Sequence, residues 1–340
     1  MAIGFCRDVV VTTMQAVSNL ECRDAIPGVR VSRWHLVRLS QAVVLITSSL
    51  FAQTSVQRPL VLGVAHVAFR VSDLAKTGAF YENFLGYAEP FSLIGANGKP
   101  TTALVKINDE QYVELLQGDA QNQGQLDHFA LYTDDIAAMR RYLLAQRVPV
   151  LVDIHNGRVG NPFLTVRDPD GHHIEILQYS PNSLTARSQG EFMPANRVSS
   201  HITHVGILVS SLESAMRFYR DILGFREFPR GGGGGQPGWV DLQAPDGNDS
   251  IELLPFTGAL SPANLKTQNH FCLASSDVRK TVASLQSRAT SGLLTSPIRV
   301  QTGDNLPMRA NLFDPDGARI EIMEPVSAGT PPTERPIRDR

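Results

Sequence analysis

Four histidines and four glutamates return along this chain in a steady beat: His66 with Glu114, His128 with Glu175, His204 with Glu252, and His270 with Glu321. The gaps within the pairs are 48, 47, 48 and 51 positions, and the later four residues follow the earlier four at offsets of 138, 138, 142 and 146. Imidazole and carboxylate are nitrogen and oxygen ligands for a divalent ion. Two of each on one octahedral centre leave two positions for water or substrate. A lone histidine on a strand is more often a core residue or a relic, so the repetition carries the metal reading.

Such ligands need rigid elements behind them. Asp168-Pro169-Asp170-Gly171 and Asp314-Pro315-Asp316-Gly317 are type I turn signals, because proline presets φ at the second position and glycine suits the fourth. A strand follows each. Ile174 and Ile176 flank Glu175, and Ile320 and Ile322 flank Glu321, so the isoleucines take one face and the glutamate the other. The histidines stand on apolar runs, and the residue two along is small in every case: Ala68, Ala130, Gly206 and Cys272. That leaves room above the sheet for a ligand; Cys272, close enough in sequence to reach a metal, reads by default as a small buried residue.

After each histidine strand comes a cap, at Ser72-Asp73, Asp134 or Asp135, Ser211 and Ser276, and then an amphipathic helix. The first and third helices stop at Gly86 and Gly224. Each quarter reads as strand, helix and three strands. Helices cover one side of the sheet, so the histidines and glutamates face the other, concave side. Arg70, Tyr112, His173 and Arg319 share those faces and are expected at the solvated rim.

The net charge of −2 carries no electrostatic footprint for nucleic acid or an anionic membrane, which favours a small-molecule substrate. Residues 1–58 read as a leader: Arg33-Trp34-His35-Leu36-Val37-Arg38, an apolar run from Leu39 to Phe51, and small residues at Ala52. Basic, then apolar, then small is the order of a secretory signal, here at about 33–52, and the run is too short to span a bilayer. Export to the periplasm or beyond is expected, with a cytoplasmic protein as the alternative, and the late placement suggests a start codon called too far upstream. The domains are expected at 59–183 and 199–326, with a linker at 184–198 and a disordered tail at 327–340. Gly231 to Gly235 reads as a floppy hairpin loop, since the strand and helix of a phosphate loop are missing around it.

With these residues in hand, the chain resembles the vicinal oxygen chelate superfamily, which includes glyoxalase I, the extradiol dioxygenases and the fosfomycin and bleomycin resistance proteins. The likeness covers about residues 60–180 and 200–325. It is carried by the helix endings Phe80-Tyr81…Leu85-Gly86-Tyr87 and Phe218-Tyr219…Leu223-Gly224-Phe225, and by the two Asp-Pro-Asp-Gly strands ending in glutamate. It implies an α+β fold, four βαβββ units paired into two cup-shaped eight-stranded mixed sheets with helices on the convex face. It also implies two metal sites, His66, Glu114, His128 and Glu175 in one and His204, Glu252, His270 and Glu321 in the other. A swapped pairing of units would build two complete sites as well.

The implied cofactor is a divalent metal such as nickel, zinc, cobalt, manganese or iron. The four-ligand sets resemble glyoxalase-like isomerases or lyases, in which one glutamate moves a proton; Glu175 and Glu321 occupy that place. Extradiol dioxygenases carry a tyrosine about ten residues before the metal glutamate, where this chain has Thr165 and Asn311. A ring-cleaving dioxygenase and a non-catalytic binding or resistance protein are the alternatives. Monomer and homodimer both remain open.

Overall fold

The computed structural model describes residues 56–118, 126–227, 238–288, 292–303 and 306–325. The signal-like segment, the Gly231 to Gly235 loop and the expected tail lie outside these residues.

In the first half, β1 (Gly63–Val71) leads into α1 (Leu74–Ala79), which continues as a π turn over Phe80–Phe84. Then come β2 (Ala88–Ile94), β3 (Pro100–Lys106), β4 (Tyr112–Gln117) and β5 (Leu126–Tyr132). Helix α2 (Ile136–Ala145), β6 (Val152–Asn156), β7 (Pro162–Arg167) and β8 (His173–Leu177) complete the half. A short helix, α3 (Leu184–Arg187), stands in the connection.

The second half repeats the series with β9 (Ile202–Val209), α4 (Leu212–Met216) and its π turn Arg217–Ile222, β10 (Arg226–Glu227), β11 (Val240–Gln243) and β12 (Ser250–Pro255). It adds α5 (Pro262–Gln268) before β13 (His270–Ala274), α6 (Val278–Ser287), β14 (Arg299–Gly303), β15 (Leu306–Phe313) and β16 (Arg319–Met323).

These strands make two open eight-stranded sheets, β2-β3-β4-β1-β5-β8-β7-β6 and β10-β11-β12-β9-β13-β16-β15-β14. Each is mixed. β1 runs antiparallel to β5 at the centre, while β4 and β8 lie parallel to β1 and β5 on either side. Units one and two therefore share the first sheet, and three and four the second; the swapped pairing is not the one adopted. On the helix side Val67, Phe69, Val113, Phe129, Ile174 and Ile176 are buried in a core that reaches into both halves. The caps are Asp73, Asp135, Ser211 and Asp277, each accepting from a backbone N–H of the first turn. The last is one residue beyond the expected Ser276, a shift of one position between two residue types that both cap.

The two Asp-Pro-Asp-Gly turns do more than start strands. Within each turn the first aspartate accepts from two backbone N–H groups, Asp168 from Asp170 and His172, Asp314 from Asp316 and Ala318, at 2.8–3.0 Å. The second aspartate reaches the other half. Asp316 accepts from the Ser72 N–H at 3.0 Å and from the Ser72 and Thr77 hydroxyls at 2.6 Å, beside α1. Asp170 accepts from the Ser210 N–H at 3.1 Å and from the Ser210 hydroxyl, before α4. Each half thus grips the start of the other's first helix. Replacing Asp316 by alanine strands the fully buried Thr77 hydroxyl and two further donors. The expected loss is about 3 kcal/mol, read as a fall of roughly 6–12 °C in melting temperature.

Candidate metal centres

Ladder register explains how the strands bring the eight candidate ligands together. In the first sheet Ala68 lies opposite His128, His66 lies opposite Ala130, and the same two alanines sit beside Glu114 and Glu175 on the outer strands. The second sheet repeats this with Gly206 against His270 and Glu252, and Cys272 against His204 and Glu321. The small residues are the floor over which the rings and carboxylates lean. At Gly206 the fit leaves no room for a side chain, since a Cβ there would stand 2.0 Å from Cε1 of His270.

In the first cup the Nε2 atoms of His66 and His128 are 3.0 Å apart. Glu175 lies 3.6 Å from His66 Nε2 and 3.8 Å from His128 Nε2, and Glu114 lies 3.9 Å from His128 Nε2. In the second cup the imidazole nitrogens of His204 and His270 are 3.3 Å apart. Glu321 Oε2 lies 3.5 and 3.7 Å from them, and Glu252 Oε2 lies 4.0 and 3.3 Å away. Ligands ~2.1 Å from a common ion and at right angles sit ~3.0 Å apart. The donors present fit a divalent cation in each half.

Neighbouring acceptors orient two of the rings. His128 Nδ1 is 2.8 Å from Asp127 Oδ1, and His270 Nδ1 is 2.8 Å from the Gln268 carbonyl. With Nδ1–H donating outward, the Nε2 lone pair points to the centre. Burial alone would depress the pKa of His128, but Asp127, Glu175 and Glu114 outweigh it and hold it above the ordinary histidine value. Burial likewise works to raise Glu175 and Glu321, and the facing histidines reverse that, holding both below the usual carboxylate range, Glu321 far below it. The same negative field that raises His128 attracts a dication.

The cups differ in their walls. The first encloses about 220 Å³, where Tyr112, Phe163, Tyr179 and Leu104 surround His66, Glu114 and Glu175. The connection between the halves, expected only as a linker, contributes to this wall: Thr185 lines it, and Ser188 bonds the Tyr112 hydroxyl at 3.0 Å and takes a hydrogen bond from the fully buried Lys106 ammonium. The second cavity, of about 530 Å³, is bounded by Glu252, Trp239, Asn311 and the arginines 299, 309 and 319.

Of the four expected rim residues, Tyr112 and Arg319 face the cups, and Tyr112 is buried rather than solvated. Arg70 and His173 line a separate crevice of about 460 Å³, with Arg70 paired to Asp127 at 2.5 Å. Cys272 is fully buried with His204 and Glu321 donor atoms within 4.8 Å, and burial pushes its thiol up, so it stays protonated. Sequence reasoning missed Phe163, Tyr179, Arg299 and Arg309. Alternation on β15 was the available signal for Arg309, two residues from the Asn311 that pairs with Glu321.

A profile of the Glyoxalase/Bleomycin resistance protein/Dioxygenase superfamily matches residues 63–176 and 201–322. The uncharacterized protein YwbC of Bacillus subtilis (strain 168) is 30% identical over 123 residues, covering 34% of this chain and 96% of that protein. Among solved structures, the Mn(II)-bound glyoxalase from Novosphingobium aromaticivorans superposes with a TM-score of 0.59 at 18% identity, over 79% of this chain and 84% of that one. The 2,3-dioxygenase LapB from Pseudomonas sp. KL28 also reaches 0.59, at 15% identity, over 81% and 96%. At such identities the structures share the fold. The two sheets, their open cups and the profile over both halves lead to one conclusion: the chain belongs to the Glyoxalase/Bleomycin resistance protein/Dioxygenase superfamily.

Proposed function

We propose that each cup holds a divalent cation and that the protein is a glyoxalase-like isomerase or lyase, acting on a small substrate chelated through vicinal oxygens. The observation that carries this reading is the pair of imidazole nitrogens at metal-ligand spacing in both halves, each flanked by two carboxylates and opening on a cavity. The bound cation would act as a Lewis acid on the substrate's oxygens. His66, Glu114 and His128 hold it in the first cup, His204, Glu252 and His270 in the second.

Glu175 and Glu321 are then the groups that move a proton. Their carboxylates are ionised, the form in which a carboxylate accepts a proton, here from a carbon next to the chelating oxygens. Glu175 is the freer of the two, because Glu321 Oε1 also faces Arg319 at 3.3 Å and Arg309 at 3.7 Å. The double variant Glu175→Gln, Glu321→Gln is expected to fold, as read by circular dichroism, and to lose at least about 100-fold in turnover on a responsive α-ketoaldehyde. An unchanged rate refutes the proton-transfer role.

Ring cleavage of a catechol is the second reading, favoured by the aromatic wall of Tyr112, Phe163 and Tyr179 in the first cup, which suits a flat diol. Oxygen uptake with catechol separates the two. Stoichiometric binding of substrate without turnover in either assay would leave sequestration as the activity.

A further inference from the structure

The halves are alike in their ligands and unlike in what stands around them. Taking the offset of 146 that relates Glu175 to Glu321, Arg309 occupies the position of Phe163, and Arg319 that of His173. Strand pairing agrees: Arg309 is opposite Met323 as Phe163 is opposite Leu177, and Arg319 is opposite Phe313 as His173 is opposite Arg167. At this position the first cup presents a phenyl ring to its cavity and the second a guanidinium; Arg158, which also lines the first cavity, donates instead to the Thr101 hydroxyl at 3.0 Å and the Ile94 carbonyl at 2.6 Å. Arg299, exposed at the same cavity, adds a third cation.

The two inner arginines are held in place. Arg319 Nε donates to Asn311 Oδ1 at 2.7 Å, and Arg309 Nε donates to Gln301 Oε1 at 2.9 Å. Both also face Glu321 Oε1, the oxygen turned away from the shorter histidine contacts. Each guanidinium meets Glu321 through one nitrogen, Nη2 of Arg319 and Nε of Arg309, and with five N–H donors apiece the arginines retain donors for a second anion. A fixed fork of N–H groups is the geometry that binds a carboxylate in two-point fashion.

We infer that the second cup takes a ligand bearing a carboxylate in addition to its chelating oxygens, held by Arg309, Arg319 and Arg299, while the first cup takes an uncharged, apolar one. This deepens the metal-cup reading and rests on it for the chelating end alone. The two sites of one chain then serve different substrates, and activity of one half says nothing about the other's specificity. The smaller cavity has Phe163 where the larger has Arg309, and so lacks the paired guanidiniums that a carboxylate would meet in the second cup.

Trp239 lines the second cavity and is one of two tryptophans in the chain, the other being Trp34. In a Trp34→Phe background the full-length protein reports occupancy of the second cup by fluorescence. The probes are 2-oxoglutarate and 2-oxopentanoate, which share a chelating end and differ in a distal carboxylate against a methyl. The dianion is expected to bind at least tenfold more tightly, with the ratio shrinking as salt rises. Arg309→Phe, which copies the first cup, is expected to reduce the ratio to about threefold or less. Arg299→Gln, at an exposed position, serves if the first variant does not fold, and lowers the ratio by a smaller factor.

Metal content measured on the same samples separates the two claims. Charge discrimination in protein whose second cup retains no metal upholds the carboxylate site and overturns chelation there. Metal present with equal affinity for both probes overturns the carboxylate site and leaves the metal centre standing. Binding of neither probe overturns the inference as well.

Discussion

Replacing His66 by alanine is expected to halve the metal content of the purified protein, from two ions per chain to one, and replacing His204 as well to remove the rest. Three holding residues sharing ~10–16 kcal/mol of binding contribute about 3–5 kcal/mol each. Loss of one therefore weakens affinity on the order of 10³-fold. The effect should stay within its own half, because the two histidines and two glutamates of each cup lie on one sheet, His66 on β1 and His204 on β9. Elemental analysis of the two single variants and the double variant checks this. Loss of both ions from either single variant would mean that the cups are coupled, and retention of both would mean that the histidines are not ligands.

The second large effect is on stability against pH and comes from Asp314. Its side chain is fully buried, Oδ2 has no hydrogen-bond partner, and Asp316 stands beside it; burial above all pushes its pKa up to about 7 from an ordinary 3.8. In its counterpart Asp168 the Oδ2 atom has two partners, His172 Nδ1 at 2.8 Å and the Tyr219 hydroxyl at 3.0 Å. At the position of His172 the second half has Ala318, and the Tyr81 hydroxyl, near Asp314, is likewise without a partner.

Asp314 binds a proton on folding anywhere between those two pKa values. Its neutral form is free of cost below about pH 4, and stability is then lost as pH rises, down to a plateau above about 7. The whole window amounts to about 4 kcal/mol, at ~1.4 kcal/mol per pH unit. Asp314→Asn keeps an oxygen for the Asp316 and Ala318 N–H groups and removes the titration. Denaturant melts at pH 4 and pH 8 are expected to show the variant gaining stability over the parent by about 4 kcal/mol at the higher pH only. A constant difference across that range would assign the slope to other groups.

The convergence of the eight histidines and glutamates was legible from the sequence because each is fixed twice, by a period-two strand and by a constant distance to its partner. Glu175 and Glu321 could not slip by one residue without turning Ile174 and Ile320 out of the core. The starts of the four unit helices were legible to within a residue, since Asp277 and Ser276 both make caps and only geometry chooses between them; α3 and α5 were not expected. Pairing of the units was not legible. Either arrangement satisfies the same patterns, and the choice rests on the long-range pair of β1 with β5.

The cup walls were least legible. Arg309 and Phe163 come from outer strands whose register depends on hairpins read only in three dimensions. Residues 183–188 read locally as a linker, and nothing in them reveals that Ser188 meets Lys106 and Tyr112 behind the wall of the first cup.

The crossed grip of the two turns has the form of a twofold interface. Asp316 holds Ser72 as Asp170 holds Ser210, so the surface that gives in one half is the surface that receives in the other. An interface of that kind is self-complementary, as between the subunits of a symmetric dimer. It carries no information about which half comes first. The order of the halves along the chain is a property of the connection from Gln178 to His201 alone, and a half-length chain of this fold would offer the same grip to a second copy of itself.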